Sequence, residues 1–263
     1  MADDVDDDEE RMTLVEHLTE LRRRLIISFV AVAAGAVVCW MAYDWILEIL
    51  LDPYCRSLPE TDRGDAGFTD VGCKLFVRDP LEPFSVRLTV AGYGGLILAI
   101  PVVLWQAWRF IAPGLYSHEK RYAVPFMVSG VALFFLGAGL AYWSIPRALE
   151  FLSEIGGDDL ISLFAPEQYL SFVIKMSVAF GIAFEFPIAL IFLQILGILE
   201  NETLRAGRRY AVVGIVVLVA VITPSGDPFT LMVLSVPMYL FYEIAILFGR
   251  VRNRRLARAT AAS

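Results

Sequence analysis

The sequence MSVAFGIAFEFPIALIFLQILGIL, residues 176–199, is a long apolar run that indicates the class of fold. Its 24 residues lie between Lys175 and Glu200 and include a single charged side chain, Glu185. Since an α-helix needs about 20 apolar residues to cross the hydrocarbon core of a bilayer, the stretch predicts a membrane-spanning helix. An ionised carboxylate in hydrocarbon costs about 2.5 kcal/mol or more. Glu185 is therefore expected to be protonated, to face a wet cavity or to have a partner, and each option indicates function.

Five other long stretches also lack charged side chains. They cover residues 25–43, 88–108, 122–146, 210–226 and 228–242. A chain of 263 residues that is 57% hydrophobic cannot bury all of these in one soluble core, and lipid favours helices because they satisfy their own backbone. We predict an all-α membrane protein with six transmembrane helices. The predicted spans are about residues 25–47, 88–108, 122–146, 170–196, 210–224 and 228–248.

The fifth predicted span is short. From Tyr210 to Thr223 it has 14 residues, about 21 Å of helix against a hydrocarbon core of about 30 Å. Either the membrane thins there, or residues 223–225 lie below the lipid surface. The sixth span is a second candidate for a short one.

Both ends of the chain are expected to differ from the membrane domain, residues 12–250. Seven of the first ten residues are acidic and account for the formal net charge of -7, so residues 1–11 are predicted to form a disordered, solvated arm. Residues 251–263 form a basic tail. No cleavable signal peptide is expected, because the apolar run after residues 22–24 is too long for one.

The distribution of basic residues predicts the orientation. Six spans place both termini on one side, and that side carries fifteen Lys and Arg residues against six on the other, with Lys175 inside the fourth span. The positive-inside rule then predicts that both termini are cytoplasmic, in a prokaryotic plasma membrane.

The longest loop, residues 52–87, then lies outside and contains Cys55 and Cys73. A disulfide between them is expected in an oxidising compartment; the alternative is two free thiols. Cys39 lies in the first span and is expected to pack there.

Acidic residues occur in two segments that are predicted to lie on the inner side of the membrane, one before the first span and one between the second and third spans. The segment MTLVEHLTELRRRL, residues 12–25, has the spacing of an amphipathic helix with Glu16 and Glu20 four residues apart on one face. Like charges at this spacing repel, which a cationic ligand would relieve. The alternative is a surface ion pair between Glu20 and Arg24. In the next inner loop, a turn around Pro113 presents Glu119 beside two cations.

Four motifs carry a family resemblance. They are HLTELR (17–22), FIAPGLYSHE (110–119), FGIAFEFP (180–187) and PMY (237–239). In this order, and with six spans, the chain resembles the TatC family, the core receptor subunit of the twin-arginine protein translocase, from about Thr13 to Arg250.

The resemblance implies a receptor for signal peptides with two consecutive arginines, which starts the export of folded proteins driven by the proton-motive force. The family's two signal-binding carboxylates fall on Glu20 and Glu119, with His17 and Phe110 beside them. Two forked guanidinium groups can each form a bidentate pair with a carboxylate, which lysine cannot do. Further implied partners are the lipid bilayer and other copies of the receptor, but no nucleic acid and no cofactor.

The resemblance also assigns Glu185 and Pro187 to the docking of the single-span partners TatA and TatB. The alternative is a hydrogen-bonded carboxylic acid that only clamps the bundle. Pro53 and Asp227 match positions expected to shape the receptor. Glu243 is expected either to be functional or to pair with Arg250.

A proton-coupled small-solute transporter with Glu185 as proton relay is the alternative function, although no repeat relates the two halves of the chain. Sequence support for an enzyme is poor, because the chain lacks HExxH, GxSxG and P-loop motifs. His17 and His118 are expected at the headgroup boundary rather than as metal ligands; they are either solvated or tune the neighbouring carboxylates.

Overall fold

A computed structural model describes residues 14–57, 77–111, 123–156, 165–223 and 227–260. Within these ranges all regular structure is helical, which confirms the predicted all-α class. The helices are α1 (Leu14–Met41), α2 (Tyr43–Ser57), α3 (Glu82–Ile111), α4 (Ala123–Gly156), α5 (Pro166–Phe184), α6 (Phe186–Ile195), α7 (Asn201–Ala206), α8 (Arg208–Ile222) and α9 (Pro228–Thr260).

Five helical segments are long and apolar enough to cross a membrane. They are His17–Met41, Glu82–Phe110, Val124–Leu152, Pro166–Ile195 and Pro228–Arg254. The predicted fifth span corresponds to α8, which has 15 residues and is about 22 Å long. It is short, as its sequence indicates.

The expectation of a short sixth span is wrong, because its apolar helical segment runs from Pro228 to Arg254. The predicted basic tail, residues 251–263, begins within the same helix, because α9 continues to Thr260. Arginine is a good helix former, so the basic residues let the helix extend beyond the apolar segment. The acidic arm, residues 1–11, lies outside the described residues.

Glycines, which have no side chain, let neighbouring helices pack closely at two crossings. Helices α1 and α3 cross at Gly35 and Gly95, where a methyl group on Gly95 would lie 2.4 Å from the Ala36 nitrogen. Helices α4 and α5 cross in the same way at Gly137, where an added methyl would lie 2.5 Å from the Phe180 oxygen. Small residues at helix crossings are how helices approach one another in lipid.

A proline organises the end of the bundle at which α2 lies. Pro53 is buried within α2, and because it has no N–H, the carbonyl of Ile49 loses its helical donor. The hydroxyl of Tyr142 in α4 donates to that carbonyl at 2.7 Å, and the hydroxyl of Tyr169 in α5 donates to the neighbouring Leu50 carbonyl at 2.9 Å. These two bonds fasten α2 across the bundle.

The remaining core lies between α4, α5, α6, α8 and α9. Phe180, Val219, Leu234 and Met238 are fully buried in it. The hydroxyl of Tyr242 also donates to the Leu204 carbonyl at 2.5 Å, which anchors α7 to α9. This core includes Leu190 of α6, the helix that begins directly after Glu185.

Candidate functional site

The N-terminal end of α1 and the C-terminal end of α3 bring together three of the predicted site residues. The rings of His17 and Phe110 stack with centroids 4.5 Å apart and an interplanar angle of 28°. One turn of α1 beyond His17 lies Glu20, whose side chain is 18% exposed. The close crossing of α1 and α3 explains this contact, since it brings His17 and Phe110 together although they are 93 positions apart along the chain.

The Glu20 carboxyl is held by Arg24, so the local ion pair that was the alternative at this position is present. Oxygen Oε1 accepts from Nε of Arg24 at 3.1 Å and also from its Nη2. The other oxygen, Oε2, is buried and has no hydrogen-bond partner among the described residues. One oxygen is therefore paired within the chain, and the other is left with its bonding capacity unused.

Gln106 in α3 completes this cluster. Its Oε1 accepts from Nη1 of Arg24 at 3.4 Å, a long contact that links the Arg24–Glu20 pair to the second helix. The sequence prediction did not include Gln106. The available signal was a lone uncharged polar residue near the C-terminal end of an apolar span, which by itself does not separate a site residue from a headgroup contact.

The second predicted carboxylate, Glu119, lies outside the described residues, as does His118. The structure therefore locates Glu20, His17 and Phe110 of the predicted peptide site, and the role of Glu119 stays a prediction.

The intramembrane carboxyl of Glu185 lies where α5 gives way to α6. The Glu185 N–H bonds to the Ile182 carbonyl at 3.0 Å, a tight turn between the two helices. Pro187 lacks an N–H, so it cannot continue the bonding of α5 to the Ala183 carbonyl. Helix α5 accordingly ends at Phe184, and α6 begins at Phe186.

The Glu185 side chain points toward α4. A methyl group added at Gly130 would lie 3.0 Å from its Oε2, and its Oε1 is buried with no hydrogen-bond partner among the described residues. Among the described residues, this oxygen therefore makes no hydrogen bond that would hold Glu185 to another helix. The sequence alone could not identify Gly130, because its importance depends on Glu185, which faces it from another part of the chain.

Three other predicted positions are structural in kind. The buried carboxyl of Asp227 accepts from the Thr230 N–H at 2.7 Å and from its hydroxyl at 2.5 Å, which caps α9. Cys55 is disulfide-bonded, while its predicted partner, Cys73, lies outside the described residues. Cys39 is a buried free thiol.

The expected pairing of Glu243 with Arg250 is wrong. Glu243 accepts from Arg208 of α8 at 2.7 Å instead. Helix α8 packs on α9, and its first residue, Arg208, lies beside Glu243. Position 250 is two turns away along α9, which is beyond the spacing at which helical side chains pair.

Comparisons with known proteins agree over almost the whole chain. The family model described as "Sec-independent protein translocase protein (TatC)" matches residues 16–237. The chain is 40% identical over 247 residues to the Sec-independent protein translocase protein TatC of Aquifex aeolicus, covering 93% of this chain and 97% of the relative. It is 38% identical to that of Frankia casuarinae over 252 residues, which is 95% of this chain and 69% of the relative.

A solved structure supports the same relationship. The chain matches one described as "Crystal Structure of Twin Arginine Translocase Receptor- TatC" with a TM-score of 0.72 and 39% identity. The match covers 90% of this chain and 99% of the solved one.

Proposed function

The chain belongs to the TatC family and is the receptor subunit of the twin-arginine translocase, and we propose that it binds the paired arginines of signal peptides at the inner ends of α1 and α3. It is a multi-pass membrane protein and a component of a transport system, not an enzyme. In the proposal, Glu20 and Glu119 each receive one guanidinium group, and His17 and Phe110 line the site.

The observation that carries the proposal is the state of Glu20. A buried carboxylate oxygen with no donor costs free energy comparable to a lost hydrogen bond, and Oε2 of Glu20 is in this state. An incoming guanidinium group supplies the missing donors and an opposite charge. Because Oε2 is buried, a peptide arginine reaches it when the Glu20 side chain, which is 18% exposed, turns this oxygen outward.

The stacked rings of His17 and Phe110 support the same site. They lie one turn from Glu20 toward the N-terminal end of α1, and His17 is exposed. A planar guanidinium group stacks favourably on aromatic faces, so the pair offers a second contact to an arginine.

For the membrane arrangement we propose six spans, with α8 as the fifth and both termini in the cytoplasm. The excess of Lys and Arg on the terminal side supports this orientation. It places Glu20, His17 and Phe110 at the face from which folded precursors arrive.

Glu185, with Pro187, is proposed to dock single-span partners of the TatA and TatB type. A carboxyl group with an unpartnered oxygen inside the apolar segment Pro166–Ile195 has no donor to gain from lipid. A polar side chain on a neighbouring transmembrane helix can satisfy it. The alternative of a small-solute transporter is not supported by the family to which the chain belongs.

A peptide cross-linking experiment tests the receptor site. A twin-arginine peptide with a photoreactive residue next to the arginine pair is expected to label α1 near Glu20 and the loop that contains Glu119. The same peptide with two lysines in place of the arginines is the control and is expected to label weakly. Labelling of the opposite face of the bundle, around Pro53, would rule out the proposed site.

A further inference from the structure

The Glu185 carboxyl has a seat on α4 that exists only because residue 130 is glycine. A methyl group there would lie 3.0 Å from Oε2 and 3.5 Å from Oε1 of Glu185, and 3.3 Å from Cδ1 of Leu104 in α3. Comfortable contacts between non-bonded heavy atoms begin at about 3.5 Å. The space next to Gly130 is therefore filled by the carboxyl on one side and by α3 on the other.

Aromatic side chains close this seat toward the inner membrane face. Trp108 in α3 lies with its ring 5.1 Å from that of Phe126 in α4 and 4.9 Å from that of Phe192 in α6. In all three helices these residues are one or two turns from the seat, on the side of the α3–α4 loop. Trp108 is 9% exposed, so the cluster separates the carboxyl from the inner surface.

We propose that Gly130 is a positioning residue for partner docking. The absent side chain lets the Glu185 carboxyl lie against α4, above the aromatic cluster. In that position Oε1 lies within the chain, while Glu185 as a whole is only half-buried and keeps part of its surface for a donor on a neighbouring helix in the lipid. A methyl group at residue 130 shifts the carboxyl by a few tenths of an ångström and so disturbs the geometry that a partner recognises. The inference rests on the proposed docking role of Glu185.

The primary test is Gly130→Ala in the full chain, co-expressed with its tagged single-span partner subunits. Co-purification of the partners is expected to fall about tenfold, equivalent to about 1.4 kcal/mol. The matched control is Gly139→Ala on the same helix, where an added methyl meets nothing within 4 Å. The control is expected to retain the partners at the wild-type level.

A double-mutant cycle with Glu185→Asp separates positioning from a general packing defect. The shorter side chain withdraws the carboxyl from the added methyl, so Gly130→Ala is expected to cost less than about twofold in that background. Equal losses from Gly130→Ala in both backgrounds would overturn the inference, and so would undiminished co-purification in Gly130→Ala. A melting temperature measured for each variant in detergent identifies any loss that is due to unfolding.

A further variant, Glu185→Ala, distinguishes the positioning role of Gly130 from the docking role of Glu185. If Glu185→Ala retains the partners, the docking role itself is wrong. If Glu185→Ala loses them while Gly130→Ala retains them, the docking role stands and the positioning role of Gly130 is wrong.

Discussion

At the scale of single residues, the receptor carboxylate already has a partner within its own helix. Arg24 lies one turn after Glu20, binds one of its carboxylate oxygens and also contacts Gln106. A guanidinium group is thus already present where a signal-peptide arginine is proposed to bind. The two groups share Glu20, one on each oxygen, or the peptide displaces Arg24.

The variant Arg24→Gln distinguishes a competing partner from a supporting one. Because the pair competes with the peptide for Glu20 and a partly exposed pair is worth up to about 1 kcal/mol, peptide affinity is expected to rise up to about fivefold. Arg23→Gln is the matched control, since it removes the same charge from an exposed neighbouring position. Fluorescence anisotropy of a labelled twin-arginine peptide gives both affinities. A weaker affinity in Arg24→Gln alone would show that Arg24 supports the site instead.

Single residues also show where sequence reasoning stops. Glu185 could be found because one charge in a long apolar run is costly whatever surrounds it. Gln106 and Gly130 could not, because their importance lies in what faces them: Arg24 on α1 in one case and Glu185 in the other. Neither relationship leaves a spacing pattern in the chain.

At the scale of helices, the beginning of α9 depends on Asp227. Its carboxylate accepts the Thr230 N–H, and Pro228 fills the first helical position, where the missing N–H of proline costs nothing. Asp227→Ala is expected to lower the stability of the bundle by about 1 kcal/mol. Asp227→Asn, which preserves a capping oxygen, is expected to lose less. Thermal unfolding in detergent measures both, and equal losses would indicate that charge rather than capping matters.

Helix boundaries were predicted less well than helix identities, for a physical reason. The uncharged stretches mark the part of a helix that lies in lipid, but a helix does not have to end where charge begins. Helix α1 starts at Leu14, and α9 runs to Thr260, so both extend through basic residues. The break between α5 and α6 has a local sequence cause in Pro187, and α8 is short because its apolar run is short.

At the scale of the whole molecule, the proposed orientation makes a direct prediction. Epitope tags at both termini are expected to be reached by antibody only when the inner membrane face is open. A tag inserted within the outer loop, residues 58–76, is expected to be reached in cells whose inner membrane is intact. This pattern follows from the charge asymmetry of the six-span arrangement. Termini on opposite sides would mean that α8 does not cross the membrane.

Acidic side chains at the inner face are proposed to bind the arginine pair of a signal peptide. The affinity of a twin-arginine peptide for the purified chain in nanodiscs tests this role. Glu20→Gln and Glu119→Gln are each expected to lose about tenfold to a hundredfold, since a hydrogen bond to a charged group contributes about 1.5–3 kcal/mol. The double variant is expected to lose binding, whereas Glu202→Gln, an exposed carboxylate on α7, is expected to retain it. Wild-type affinity in a correctly folded double variant would contradict the account.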